Sequence, residues 1–197
     1  MAEFGRNFVI LQKFLIYIGM NRVKIKDKTF EVSMPEAEIK ARVKELALEM
    51  SHDLEGKNPL FLAVLNGAFI FAADLMREMT IPCEISFVKL ASYQGTTSTG
   101  KVHEVIGINE DLSGRTVVIV EDIVESGQTM QRMIESIGTR NPASVQICTL
   151  FFKPAKLKAE LKLDYVAFRI PDDFILGYGL DYDQAARGLK DVYTLVS

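Results

Sequence analysis

Residues 117–130 read Val-Val-Ile-Val-Glu-Asp-Ile-Val-Glu-Ser-Gly-Gln-Thr-Met, a stretch that leaves few folds open. Four consecutive β-formers make a strand covered on both faces, because a half-exposed strand alternates apolar with polar residues. Three acids, Glu121, Asp122 and Glu125, then follow within five residues, where that strand ends. Carboxylates crowded at the end of a buried strand repel one another and lose hydration, so something must bind them. A polyhydroxylated or metal-carrying ligand would. Gly127 lets backbone come close to a ligand, Ser126 and Thr129 offer hydroxyls, and a helix begins at once and runs to about Gly138. Free N–H groups and the positive end of a helix dipole suit a phosphate. One loop thus joins carboxylates for hydroxyls or a metal to an anion cradle, and a sugar phosphate fits both halves. The plainer alternative is an acid-rich turn before an ordinary helix.

The rest of the chain repeats this strand-then-helix pattern. Ser33 and Glu36 are spaced as a capping box with Pro35 in the first turn, and Ile39, Val43, Leu46, Ala47 and Met50 carry a helix to about Leu54. After the break at 55–59, the apolar run 60–65 predicts a buried strand, Asn66-Gly67 a turn, and 68–79 a helix. Pro82 precedes a strand over 83–93. Residues 94–101, small and polar, predict a mobile loop, and 102–108 the second arm of a β-ribbon. Three further strands are expected at 144–152, 164–170 and 191–196. Alternating strands and helices predict an α/β fold with a parallel sheet, in which ligands bind beyond the carboxyl ends of the strands.

At 197 residues the chain is long enough for a core that needs no staples, and 48% hydrophobic with 25% charged residues is ordinary for a globular protein. A net charge of -3 gives no bulk field for nucleic acid or membrane surfaces, so neither is expected as a partner. Cys83 and Cys148, both in apolar segments, read as reduced core residues of a cytoplasmic protein. His52 and His103 lack a partner at ligand spacing and read as solvated or structural. The apolar segment 7–20 is interrupted by Lys13, is too short to span a bilayer and has no small-residue cleavage site, so no signal peptide is expected. It reads either as an upstream start-codon choice or as an extra helix or strand packing on a partner. Residues 1–19 are therefore an extension of uncertain status, and 20–197 a single domain.

The stretch 117–129 closely resembles the phosphoribosyl-pyrophosphate signature of the type I phosphoribosyltransferases. Residues 64–75, 90–102 and 152–189 resemble other segments of the hypoxanthine-guanine branch, and the likeness runs from about residue 20 to 197. It implies a mainly parallel sheet flanked by helices, with a small hood region and a mobile loop. It also implies transfer of the 5-phosphoribosyl group to hypoxanthine or guanine in purine salvage, with Mg²⁺ as cofactor and a homodimer or homotetramer as assembly. On the matching positions, Glu121 and Asp122 would hold the ribose hydroxyls directly or through Mg²⁺. Glu125, Ser126, Gly127, Gln128 and Thr129 would wrap the 5-phosphate. Asn66 and Gly67, after a cis bond from Leu65, would cradle pyrophosphate together with Arg187, while Ser92 and Tyr93 would close over the substrate. Lys153 would donate to the purine O6, Phe174 would stack on the base, the Ile175 backbone would meet its edge, and Asp181 would bind a second Mg²⁺. Read without the resemblance, Lys153 could be a surface lysine, Phe174 a core residue, and Asp181 with Arg187 a surface ion pair.

The sequence departs from the family pattern twice. Where the third acid, which accepts the purine N7 proton, is usually aspartate, this chain has Glu125, one methylene longer; misplacing such a group by about 1 Å can cost ~10²-fold in rate. Where the pyrophosphate turn often carries Lys-Gly, this chain has Asn66-Gly67. Both read as tuning. A regulator that senses phosphoribosyl pyrophosphate without turnover is the alternative from another class, and a xanthine-preferring enzyme the alternative within the same one. An NTP-driven enzyme is disfavoured, since G-x-x-x-x-G-K-[ST] does not occur.

Overall fold

The computed structural model describes residues 15–17, 21–91 and 103–196. The expectations for Ser92, Tyr93 and the 94–101 loop, and most of those for the amino-terminal segment, lie outside the described residues. In order, the elements are β1 (Leu15–Tyr17), β2 (Arg22–Ile25), β3 (Lys28–Met34), α1 (Glu36–Asp53), β4 (Leu60–Leu65), α2 (Phe69–Glu78), β5 (Glu84–Ala91) and β6 (His103–Ile106). There follow β7 (Thr116–Val124), α3 (Gln128–Gly138), β8 (Ser144–Phe152), β9 (Tyr165–Arg169), β10 (Ile175–Leu176) and β11 (Val192–Leu195). No helix among the described residues is long and apolar enough to cross a membrane. The chain divides into two compact units, Lys40–Asp172 and the segments on either side of it.

The larger unit is built on a six-stranded sheet of order β6-β5-β4-β7-β8-β9. Its five central and outer strands β5, β4, β7, β8 and β9 run parallel, and β6 closes one edge antiparallel to β5, as the ribbon expectation has it. The apolar runs are where a doubly covered sheet needs them: Phe61, Leu62, Val117, Val118, Ile119 and Val120 are each at most 1% exposed or fully buried. Chain order reverses between β4 and β7. From β4 the chain passes through α2 to β5 on one side, and from β7 through α3 to β8 on the other. The crevice outside the carboxyl ends at such a reversal is where parallel sheets bind ligands.

The smaller unit is an antiparallel sheet of order β1-β2-β3-β11-β10. It corrects the expectation for 191–196: this strand forms, but in the antiparallel sheet beside β3 and β10. No helix separates it from the preceding strand to carry the chain back over a parallel sheet, and it pairs antiparallel with both its neighbours. The β2–β3 hairpin, unforeseen in the sequence, buries Val23, Ile25 and Phe30 against Leu176, Leu189 and Tyr193. The capping box is corrected too. The Ser33 hydroxyl donates to the Val192 carbonyl at 3.3 Å, and the Glu36 N–H at the start of α1 donates to the Asp191 carboxylate at 2.8 Å. A carboxylate at that end complements the helix dipole better than a hydroxyl, so the distant aspartate takes the role. Both cysteines are free; Cys148 is buried as expected, whereas Cys83, one position before β5, is only partly so.

Candidate active site

The site starts where β4 and β7 part company. Their ladder ends at Ala63 and Val120, while β7 goes on pairing with β8 to Val124. Glu121 and Asp122 therefore sit on a strand that has just lost one neighbour, and the β4 chain turns away through a cis Leu65–Asn66 bond and Gly67. Gly67 lies so close to Asp122 that a Cβ there would be 1.6 Å from its Oδ2. Position 67 has to be glycine for the Asp122 carboxylate to stand where it does.

Glu121 is the most strained electrostatically. Its Oε2 is buried with no hydrogen-bond partner. Burial, and secondarily the charge of Asp122, holds its carboxyl well above the usual carboxylate range. A protonated form favoured by the fold means that stability is lost as pH rises from the unfolded carboxyl's range, about 4.3–4.5, towards the raised folded value. Glu121→Gln is expected to raise the melting temperature at pH 7–8 by about 2–4 °C for each kcal/mol relieved, with the gain vanishing near pH 4.5. Thermal unfolding across that range without ligand checks it, and a gain independent of pH would contradict it.

Beyond β7 the chain forms a concavity of about 200 Å³ lined by Glu121, Ile123, Val124, Glu125, Ser126, Gly127, Thr129 and Met130. Gly127 caps α3 at φ 77°, and its missing Cβ makes room for Leu157, Ala159 and Leu161. The Ser126 carbonyl accepts from the N–H groups of Lys158 and Ala159, both at 3.1 Å, which pins the loop from behind. No side chain caps α3 and no acid stands in its first turn; the Gln128 N–H reaches only the Ser126 hydroxyl at 3.5 Å. That end of the helix is left with donors for an anion.

Lys153 comes next, one residue past β8. It is no surface lysine: it is 5% exposed, and its Nζ meets Glu125 Oε1 at 2.5 Å and Asp172 Oδ1 at 3.5 Å. Lys156 shares Asp172 at 3.1 Å. Asp172 and Lys156 were not foreseen as partners here, because contacts across loops carry no spacing signal.

The remaining expected residues belong to the antiparallel unit. Arg187 pairs with Asp181 at 2.6 Å and donates to the Gly179 carbonyl at 2.8 Å, and Asp181 Oδ2 also accepts from the Gln184 N–H at 2.7 Å. Phe174 is 43% exposed, so it is not core, and its ring meets Phe30 at 6.1 Å and Tyr182 at 5.8 Å. Ile175 opens β10 and is 9% exposed. A metal finds its best donors in the unpartnered Glu121 oxygen beside the Asp122 carboxylate, hard oxygen ligands of the kind magnesium takes. No cluster of three or more His, Cys, Asp or Glu side chains able to hold an ion occurs among the described residues. The fit is therefore to an ion that completes its shell with water and substrate oxygens.

A parallel sheet reversing at acid-bearing strand ends, with an anion loop opening a helix, is the architecture of the phosphoribosyl transferase domain, whose family model matches residues 35–183. Hypoxanthine phosphoribosyltransferase of Salmonella typhimurium is 41% identical over 171 residues, covering 85% of this chain and 96% of the relative. The hypoxanthine-guanine phosphoribosyltransferase of Mycobacterium bovis is 39% identical over 165 residues, 80% of this chain and 82% of its own. Among solved structures, a hypoxanthine-guanine phosphoribosyltransferase from Bacillus anthracis superposes with TM-score 0.80 at 38% identity, covering 84% of this chain and 98% of its own. The chain belongs to the phosphoribosyltransferase family, in its hypoxanthine and hypoxanthine-guanine branch.

Proposed function

We propose that the enzyme transfers the 5-phosphoribosyl group from phosphoribosyl pyrophosphate to N9 of hypoxanthine, and of guanine, releasing pyrophosphate. The observation that carries the choice of base is Lys153, an almost fully buried ammonium beside the anion loop, held by Glu125. A buried cationic donor rewards a carbonyl acceptor and penalises the amino group that adenine has in its place.

In this proposal the 5-phosphate lies on the N–H groups of 126–129 and the hydroxyls of Ser126 and Thr129, at the positive end of α3. Glu121 and Asp122 hold the ribose hydroxyls and fix the ring where positive charge grows at C1 as pyrophosphate leaves. Asn66 and Gly67 present backbone donors to pyrophosphate, and Arg187 adds charge. Glu125 takes the proton from purine N7 once the base draws Lys153 towards its O6. Phe174 stacks on the base, the Ile175 backbone meets its edge, and Ser92 and Tyr93 belong to the segment that excludes water. Bound Mg²⁺ would be held by Glu121 and Asp122 and supply charge neutralisation to the pyrophosphate. Asp181 would hold a second ion after exchanging its contacts with Arg187 and Gln184. A cytoplasmic setting and a homodimer or homotetramer complete the proposal.

The test is product formation from phosphoribosyl pyrophosphate and Mg²⁺ with hypoxanthine, guanine, xanthine and adenine offered separately. Turnover with the first two and little with adenine is expected. Binding of the donor with no turnover on any base would overturn catalysis in favour of a ligand-sensing regulator, and preference for xanthine would overturn the choice of base.

A further inference from the structure

The loop that carries Asp181 and Arg187 is conformationally unusual. Asp183, Gln184 and Ala186, none of them glycine, have φ of 50°, 66° and 76°. Left-handed backbone at three of four successive positions persists only where neighbouring groups impose it. Some of that restraint is internal, from the paired Tyr182 and Ala185 backbones and from Asp181 accepting the Gln184 N–H. The rest comes from the tip of the β2–β3 hairpin, which precedes the span 35–183 matched by the family model. Lys26, in the two-residue turn between Ile25 and Lys28, donates its amine to the Asp183 carbonyl at 3.0 Å and pairs with the Asp183 carboxylate. Asp27, the other turn residue, accepts the Tyr182 hydroxyl at 2.9 Å.

Tyr182 therefore has both ends fixed. Its hydroxyl is tied to Asp27, and its ring edge stands against Phe174 at 5.8 Å and 85°. Its faces carry cations, with the amine of Lys28 at 5.1 Å and that of Lys26 at 6.0 Å from the centroid. Phe174, partly open to solvent, is seated between Tyr182 and Phe30, with the Lys28 amine 5.8 Å from its own centroid. An exposed aromatic ring with two aromatic neighbours is oriented by them.

We propose that Lys26 and Asp27 are positioning residues for purine binding: the hairpin tip holds Tyr182, and Tyr182 sets the angle of the Phe174 ring against which the base stacks. This rests on the assignment of Phe174 to the base. The hairpin tip touches no substrate. It raises affinity for the purine by removing the freedom of the platform before the base arrives.

The test is steady-state kinetics of the full chain with hypoxanthine and phosphoribosyl pyrophosphate varied in turn. Tyr182→Phe and Asp27→Ala are each expected to raise KM for hypoxanthine by about fivefold, the order of one net hydrogen bond. Neither is expected to move kcat or KM for phosphoribosyl pyrophosphate by more than about twofold, since neither side chain reaches the reacting atoms. Asp27→Asn keeps an acceptor for the hydroxyl and should restore wild-type KM. Phe174→Ala, measured alongside, keeps the two ideas apart. If it raises KM for hypoxanthine while Tyr182→Phe and Asp27→Ala leave it unchanged, the hairpin role is overturned and the base site stands. If Phe174→Ala itself leaves KM unchanged, the assignment of Phe174 falls and the hairpin role with it. A proportionate loss of kcat with both KM values, unrelieved by Asp27→Asn, would reduce the contact to general stability and also overturn the proposal.

Discussion

Gly67→Ala is expected to reduce kcat/KM by at least about 10²-fold while the protein still folds. The new methyl would stand 1.6 Å from Asp122 Oδ2 and 2.4 Å from its Cγ, so the carboxyl group must swing away. The contacts given up by the swing include the Ile123 N–H donating to Asp122 Oδ1 at 3.0 Å, a loss of about 1–2 kcal/mol. Under the role proposed for Asp122 function loses more, because displacing a group that fixes the sugar by about 1 Å costs ~10²-fold and this displacement is larger. The double variant Gly67→Ala/Asp122→Ala separates the two effects. It should be no less stable than Gly67→Ala, since the clash is gone while the Ile123 contact is lost in both, and it should recover no activity. A single variant within tenfold of wild type would show that the placement of the Asp122 carboxylate is immaterial to turnover.

Lys153→Met should have a comparable effect, again with function losing more than stability. The substitution fills the same buried channel with an apolar chain and leaves Glu125 and Asp172, whose side chains are 45% and 46% exposed, to water. Half-exposed carboxylates keep much of their hydration, so the melting temperature should move by only a few degrees, where a fully buried orphan would cost several kcal/mol. Recognition of a 6-oxopurine should lose a charged hydrogen bond, worth about 1.5–3 kcal/mol or ~10- to 150-fold in kcat/KM. Adenine, with no carbonyl at that position, should be little affected, so discrimination narrows along with rate. Unchanged discrimination would remove Lys153 from base recognition.

How much of this was legible in the sequence differs between the two units. The parallel sheet was readable because its strands are continuous apolar runs and its ligand loop is one contiguous segment, residues 121–129, whose acids, glycine and helix start all lie within a few positions. The cis Leu65–Asn66 bond followed from the family resemblance, not from spacing, and the approach of Gly67 to Asp122 followed from neither. The antiparallel unit was poorly legible. Its β2–β3 hairpin does alternate, with Val23 and Ile25 buried between exposed Arg22 and Lys24, but its turn is Lys26-Asp27, without the glycine or asparagine that marks most two-residue turns. Val192–Leu195 looked like one more strand of the same sheet, because four apolar-leaning residues carry no direction. The Lys153–Glu125 pair joins residues 28 positions apart, and the Asp191 cap of α1 reaches back 155, so neither leaves a periodic trace.

The reversal of strand order between β4 and β7 also bears on how activity is acquired during folding. Every rung between Leu60–Ala63 and Val117–Val120 joins residues more than fifty positions apart, with a helix, a strand and a ribbon arm threaded between them. Closing so long a loop is entropically slow compared with forming α2 or α3. The two halves of the catalytic cleft are thus brought side by side by the least local pairing in the larger unit. Recovery of turnover after dilution from denaturant should lag recovery of helical signal, which makes the enzyme's own product a clock for the last stage of its assembly.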